Sequence, residues 1–434
     1  MEIPYIKRTL DNGLDVIVHE HHQLPMVAVN VWYHVGSKNE RPGRTGFAHL
    51  FEHLMFEGSE HYDKGYFQPI QQAGGLLNGS TNPDRTNYWE VVPTGALELA
   101  LWMESDRMGY LLPALTKEKF ENQRDVVLNE RRQNYENRPY GLAGIALSSA
   151  MFPPDHPYHW PTIGFPDDLR AATIDDVRNF FQTYYHPSNA SLSLGGDLET
   201  EQAFELAEQY FGDLPPGPRP KPINVPAQLS DSAALLLEDR VELPRVYVSW
   251  HSPAMFAADD AELDVAADAL AHGKTSRLYK TLVYERRIAT DVSAYQQSRE
   301  MGGVFQIACT AAAGVTLPEL EVAVRAAVEH LAAEGVTDTE LERALAQTEA
   351  HFIYRLQTVG GFGGKSDQLN AYNTFVGNPG YFDHDRQRYL DVTSKGVAAA
   401  VTKWLAKAPS ISLSVVPRGR RDLAVTGAAE VQVS

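Results

Sequence analysis

Five prolines crowd into residues 215–222, almost at the midpoint of a 434-residue chain, and no other segment limits the fold as strongly. Each proline fixes φ and removes an amide donor, so neither a helix nor a strand ladder runs through Leu214–Pro226. The segment therefore reads as a linker, 214–226, between domains at 1–213 and 227–434. The two flanks resemble each other. Leu24-Pro25 precedes Val27, Val29 and Val31, alternating as a half-buried strand does, and Leu243-Pro244 precedes Val246, Val248 and Trp250 in the same register. Helical patterns follow at Phe47–Phe56 and Leu263–Leu270. The expectation is an α+β chain of two similar domains, each an antiparallel-rich sheet with helices packed on one face.

Within the first domain, Leu14–Val18 and Val27–Val31 read as paired strands joined across His19–Gln23. Leu76–Ser80 and Tyr88–Val92 read as a hairpin turning at Asn82-Pro83-Asp84. Leu97–Tyr110 is helical in pattern, as is Thr116–Asn137, with Thr116 as N-cap and a stop before Pro139.

The formal charge of −18 repels phosphate backbones and anionic lipid heads, which argues against nucleic acid or a membrane face as the main partner. Gly141–Pro154 and Gly302–Pro318, the longest uncharged stretches, are too broken to span a bilayer. The single cysteine, Cys309, lies in an apolar run and reads as core. An acid at position 2 and no apolar leader suit a cytoplasmic chain if the sequence is full length, or a periplasmic one if a signal peptide was trimmed.

Chemistry concentrates in His49-Leu-Phe-Glu52-His53. On a helix, positions i, i+3 and i+4 share one arc about 100° wide, so both imidazoles and the carboxylate point one way. Two such histidines grip a single Zn²⁺, and the glutamate between them reaches a water held by the metal. The order is that of the inverted zincin motif. Apolar Phe47, Leu50, Phe51, Leu54 and Phe56 flank the trio, and buried polar groups need a partner. A catalytic zinc takes three protein ligands as a rule. Glu90, Glu98, Glu104, Asp125 and Glu130 are all candidates for the third, and spacing does not choose among them.

The ordered run of His49-x-x-Glu52-His53, Leu76-Leu-Asn78-Gly-Ser-Thr81 with Thr86-x-Tyr88, Val126-Val-Leu-Asn-Glu130-Arg, and Tyr184-Tyr-His-Pro187-x-Asn189 leading to Gly195-Gly-Asp197 resembles the pitrilysin/insulinase family of zinc metallopeptidases. The resemblance implies His49, His53 and Glu130 as ligands of one zinc per chain and Glu52 as general base. It implies Asn78, Gly79 and Ser80 as an edge strand that binds a substrate peptide as an extra strand, a mode tolerant of side-chain variety. Gln123 stands where the family often has a glutamate; an amide there can hydrogen-bond a ligand but not ionise.

The same resemblance implies a chamber closed by two similar halves, the second supplying an arginine and, seven residues on, a tyrosine. The corresponding stretch here, Tyr284–Asp291, is one residue short; Tyr284 replaces the arginine, and Thr290 or Asp291 the tyrosine. The expectation is therefore a second subunit or half of the same fold that supplies the pair, as in a processing-peptidase-like heterodimer; the alternative is that Tyr284 or Tyr295 substitutes and the chain acts alone. The reading is a zinc endopeptidase acting on peptides or unfolded segments. The alternatives are a non-catalytic peptide-binding or scaffold subunit of such a complex, and a non-peptidase zinc hydrolase. Three other features read as local structure: His19, His21 and His22 as a solvated turn, His156-Pro-Tyr-His159 as a loop, and Gly360–Gly364, which lacks the lysine position and the preceding strand of a phosphate cradle.

Overall fold

The computed structural model describes residues 2–433, which form two compact units. The first contains a six-stranded sheet of β1 (Ile6–Thr9), β2 (Asp15–Glu20), β3 (Met26–Tyr33), β4 (Leu76–Thr81), β5 (Thr86–Pro93) and β6 (Ala190–Gly196). Their order is β1-β2-β6-β3-β5-β4. The β4–β5 hairpin forms as expected, with β4 on the sheet edge. The strands expected at 14–18 and 27–31 also form, but they do not pair. β6 lies between them, parallel to β2 and antiparallel to β3. Every residue of β6 is buried, which suits a central strand bonded on both sides, and it enters from some 160 residues downstream of β3.

One face of this sheet is apolar. Val29, Val31, Tyr33, Leu192 and Leu194 are fully buried there, and the helices Leu97–Ala114 and Thr200–Phe211 pack against the sheet. The opposite face is polar, carrying Asn30, Trp32, Asn87 and Ser191. It is covered by the helix Lys365–Val376, whose Asp367, Asn370 and Asn373 recur every three residues. Asp367 accepts from Trp32 Nε1 at 2.8 Å and Asn87 Nδ2 at 2.9 Å. Asn370 donates to Asn30 Oδ1 at 2.9 Å and accepts from Ser191 Oγ at 2.6 Å. The sequence reading put helices on one face; a helix covers the other face as well, because a buried polar face must find hydrogen-bond partners.

The second unit repeats the plan. Its sheet comprises β7 (Ala233–Asp239), β8 (Arg245–Ser252), β9 (Ala289–Gln297), β10 (Gly303–Ala311), β11 (Ile411–Pro417) and β12 (Ala429–Glu430), in the order β12-β7-β11-β8-β10-β9. Val246, Val248 and Trp250 enter the main core, as their alternation predicts, with Cys309 among them. The other face is apolar here, with Tyr247, Ala308 and Leu413 packed on Ala143, Ala146 and Leu147 of the helix Ala143–Met151. Both sheets are mixed, since β7 runs parallel to β11 and β12.

The linker separates the two sheets along the sequence, yet the units themselves are discontinuous. The first takes residues up to Asn129, Pro161–Ile223 and Ala350–Asp385; the second takes Glu130–Trp160, Asn224–Glu349 and everything from Arg386. Each sheet's second face is thus covered by a helix from the other half of the sequence. A division at one linker cannot express that exchange.

Candidate metal centre and peptide-binding edge

The motif helix spans Phe47–Leu54 and starts at Gly46, whose φ is +88°. Gly164 lies so close that a Cβ there would sit 2.5 Å from Gly46 Cα, so the entry turn needs glycine at both places. Buried Glu40 accepts from Gly46 N at 2.9 Å and Ala48 N at 2.8 Å, satisfying amides that the first turn leaves open. Burial pushes the Glu40 carboxyl up to about 8, against the pull of those amides. Phe51 stacks on Phe180 and Tyr185 at 5.5 and 5.1 Å, so the Tyr184-Tyr185 segment backs the helix.

Glu130 arrives on the helix Lys117–Arg131. Thr116 Oγ1 accepts from Lys119 N at 3.2 Å, as an N-cap should. Lys119 pairs with Asp63, and Gln123 Nε2 donates to Glu57 Oε1 at 2.7 Å, which anchors the helix beside the end of the motif helix. Ligand atoms of His49, His53 and Glu130 all lie within 4.8 Å of one another. The two imidazole rings stand 4.8 Å apart, nearly perpendicular at 82°. Asn134 Nδ2 donates to Glu130 Oε1 at 3.3 Å.

The competing carboxylates have other positions. Glu90 and Glu104 both pair with Arg107, Glu98 accepts from Tyr210 Oη at 2.9 Å, and Asp125 is 68 % exposed beside Arg124. Among the described residues, His49, His53 and Glu130 are the group placed to share a metal.

Glu52, on the same helix, acts electrostatically on Tyr88, Tyr185 and Arg85. Burial holds both phenols well above their ordinary range, and the Glu52 charge adds to it. Burial lowers Arg85, while the Asp367 and Glu52 charges oppose that. Beneath lies a feature the sequence reading missed. Arg107, 1 % exposed, bonds Glu104 and Glu90, and its guanidinium lies 4.0, 4.3 and 5.3 Å from the rings of Tyr66, Tyr88 and Phe56. Burial and the neighbouring Glu104 hold the Glu90 carboxyl well above its usual range.

Along the edge strand, Gly79 N–H donates to Asn78 Oδ1 at 2.8 Å, and a Cβ on Gly79 would meet Phe56 at 3.1 Å. Ser80 Oγ donates to Asn87 Oδ1 at 2.6 Å. In the second unit, Tyr284 is 74 % exposed, whereas Tyr295 Oη accepts from Gln306 Nε2 at 2.7 Å.

His19 belongs to β2 and is buried, with Nδ1 2.7 Å from Pro4 O, so only its neighbours form the turn. His22 sits between Glu20 and Asp197. His156 and His159 bond the backbone oxygens of Val225 and Phe152 at 2.8 and 2.7 Å. Gly363 N donates to Asp367 Oδ2 at 2.8 Å, so the glycine-rich segment caps a helix. Burial pushes the Cys309 thiol up to about 12.

Comparison with known proteins identifies a family and a fold. The family model described as Insulinase (Peptidase family M16) matches residues 15–155, and that described as Peptidase M16 inactive domain matches 171–348. The zinc protease PqqE of Helicobacter pylori is 29 % identical over 418 residues, covering 94 % of this chain and 92 % of that protein. The probable mitochondrial-processing peptidase subunit beta of Arabidopsis thaliana is 24 % identical over 367 residues, 80 % of this chain and 67 % of that one. A crystal structure of a protease from Helicobacter pylori superposes with a TM-score of 0.87 at 27 % identity, covering 95 % of this chain and all of that one. No helix of the described residues is long and apolar enough to cross a membrane.

Proposed function

The chain belongs to the insulinase family of peptidases, M16, and from that membership we propose that it is a zinc-dependent endopeptidase cutting peptides or unfolded protein segments. The observation that carries this reading is the convergence of His49, His53 and Glu130, with Glu52 on the same helix. Two imidazoles and a carboxylate are the donor set of a catalytic zinc that keeps a position open, so the residues fit the ion. When bound, zinc supplies Lewis acidity to a water and to the scissile carbonyl.

The protein's own groups do the rest. Glu52 accepts the proton of the attacking water and delivers it to the leaving amine. β4, on the sheet edge, offers the segment Asn78, Gly79 and Ser80 to an extended peptide, which would pair with the outward-facing backbone of Gly79. Gln123 acts through Glu57, holding the helix that carries Glu130. The exposed Tyr284 and the bonded Tyr295 supply no cation to pair with a phenol near a developing oxyanion. The reading therefore includes a second subunit or half of the same fold that brings an arginine and a tyrosine. The Arabidopsis relative's name, a subunit, supports this.

The test is zinc content together with cleavage of a mixed peptide pool, with and without such a partner. Glu52→Gln should retain one zinc per chain, keep its far-ultraviolet spectrum and lose hydrolysis. Comparable turnover in that variant removes Glu52 from its role, and peptide binding without any cleavage by the wild type favours a scaffold subunit. Full activity of the chain alone, unchanged by the partner, removes the second subunit.

A further inference from the structure

A free sheet edge is the least restrained part of a sheet, because each of its residues lacks one ladder partner. β4 is such an edge, and it lies beside the motif helix. Its backbone is nevertheless held in place by side chains, and the hold centres on Arg85, in the hairpin turn.

Arg85 Nη1 donates to both Ser80 O at 2.8 Å and Ser80 Oγ at 2.6 Å. Its guanidinium lies over the Trp32 ring, 5.1 Å from the centroid. Trp32 Nε1 donates to Asp367 at 2.8 Å, and Asp367 accepts from Asn87 Nδ2 at 2.9 Å. Asn87 Oδ1 accepts from Ser80 Oγ at 2.6 Å, which closes a ring of five side chains. Edge strand, neighbouring strand, central strand and the covering helix are tied together at one corner. The Asp367 charge is the largest favourable influence on the Arg85 cation, so the corner is held by charge as well as by hydrogen bonds. Ser80 adjoins Gly79, whose N–H is held by the Asn78 side chain.

The alternation of an antiparallel pair assigns the strand's two sides. Asn82 N bonds Arg85 O at 3.0 Å, so every second residue back along β4 turns its backbone groups toward β5. That set includes Ser80. Gly79 turns its groups outward, where an added strand would pair with its carbonyl, and with its N–H once the incoming strand displaces Asn78 Oδ1. Arg85 thus fixes the inward-facing residue next to the outward-facing one.

Resting on the peptidase reading, we propose that Arg85 is a positioning residue for peptide binding, which through Ser80, and with Asp367 as its anchor, holds the edge at Gly79 in register for an incoming strand. The cost of ordering that edge is then met in the folded protein rather than at each binding event. Loss of the brace weakens ground state and transition state alike, so it appears in KM and peptide affinity and leaves kcat in place.

The experiment compares wild type, Arg85→Ala and Arg85→Lys, each checked for zinc content and melting temperature. Hydrolysis gives kcat and KM. Affinity for a fluorescent peptide is measured separately, with each Arg85 change placed in a Glu52→Gln background that does not need to turn over. Hydrogen bonds to a charged group are worth roughly ten- to hundredfold in an equilibrium constant, so Arg85→Ala should raise KM and Kd by about tenfold or more. Guanidinium ion at millimolar concentration should restore part of the Arg85→Ala loss. Arg85→Lys should recover less than the wild type, since an ammonium does not reproduce the guanidinium's paired bonds to Ser80 together with its position over Trp32. Unchanged peptide affinity in a folded Arg85→Ala protein overturns the proposal, as does a fall in kcat with KM unmoved. Failure of the wild type to cleave any peptide with the second subunit present counts against the peptidase reading alone, because the affinity comparison still reports on the brace.

Discussion

Replacing Arg107 by methionine should be among the most damaging single changes in the first unit. Arg107 is 1 % exposed, and Glu104 and Glu90, which it bonds, are both fully buried. Arg107 bonds Glu104 through both Nε and Nη2 but Glu90 only through Nη2 at 3.4 Å, so the tighter pair is Arg107 with Glu104. Methionine fills much of the same space between Tyr66 and Tyr88 but leaves the Glu104 carboxylate without its cation. Removing one partner of a buried pair costs about 3–5 kcal/mol. Three lost ring contacts at 4.0–5.3 Å add to that in a non-additive way. A few kcal/mol is a large share of the stability of an ordinary domain. The assay is urea unfolding followed by circular dichroism, with the midpoint shift read at constant slope. Adding Glu104→Gln should recover more than half the loss, since the unpaired buried charge is then gone, with a coupling of about 2 kcal/mol or more between the sites. A cost below about 1 kcal/mol for Arg107→Met, or no recovery in the double variant, would refute the argument that the charge and not the volume is what matters.

Glu130→Ala should weaken zinc binding by more than the roughly 10–100-fold typical of groups around a metal's ligands, measured by competition with a chelator. Asp125→Ala is the control, being exposed on the same helix. Equal affinities in the two variants would return the other carboxylates to consideration. In the second unit, burial and then the Asp260 charge raise the Asp264 carboxyl to about 7. Its folded value lies above its unfolded one, so its contribution to stability is complete in acid and is lost as pH rises toward 7. Asp264→Asn should flatten the melting-temperature profile between pH 4 and 7, and an unchanged slope would count against it.

What was legible in the sequence was whatever depends on near neighbours along the chain. The three-then-one spacing of His49, Glu52 and His53 puts them on one side of any helix. Asn82-Pro83-Asp84 turns a hairpin, Thr116 caps a helix, and Val246, Val248 and Trp250 alternate into a core whatever else the chain does. Tertiary structure decided the rest. Spacing and composition do not separate Glu130 from Glu90, Glu98, Glu104 and Asp125; only the family resemblance named it, and the fold is what brings its carboxylate near His49 and His53. The insertion of β6 between β2 and β3, the helix each sheet takes from the other half, the buried Arg107 and the ring around Asp367 all join residues far apart in sequence. Local propensity acts over a turn or two of chain. Contacts of this second kind form because a buried polar group or an unpaired strand side must be satisfied, and the partner that satisfies it is chosen by where the fold brings the chain back.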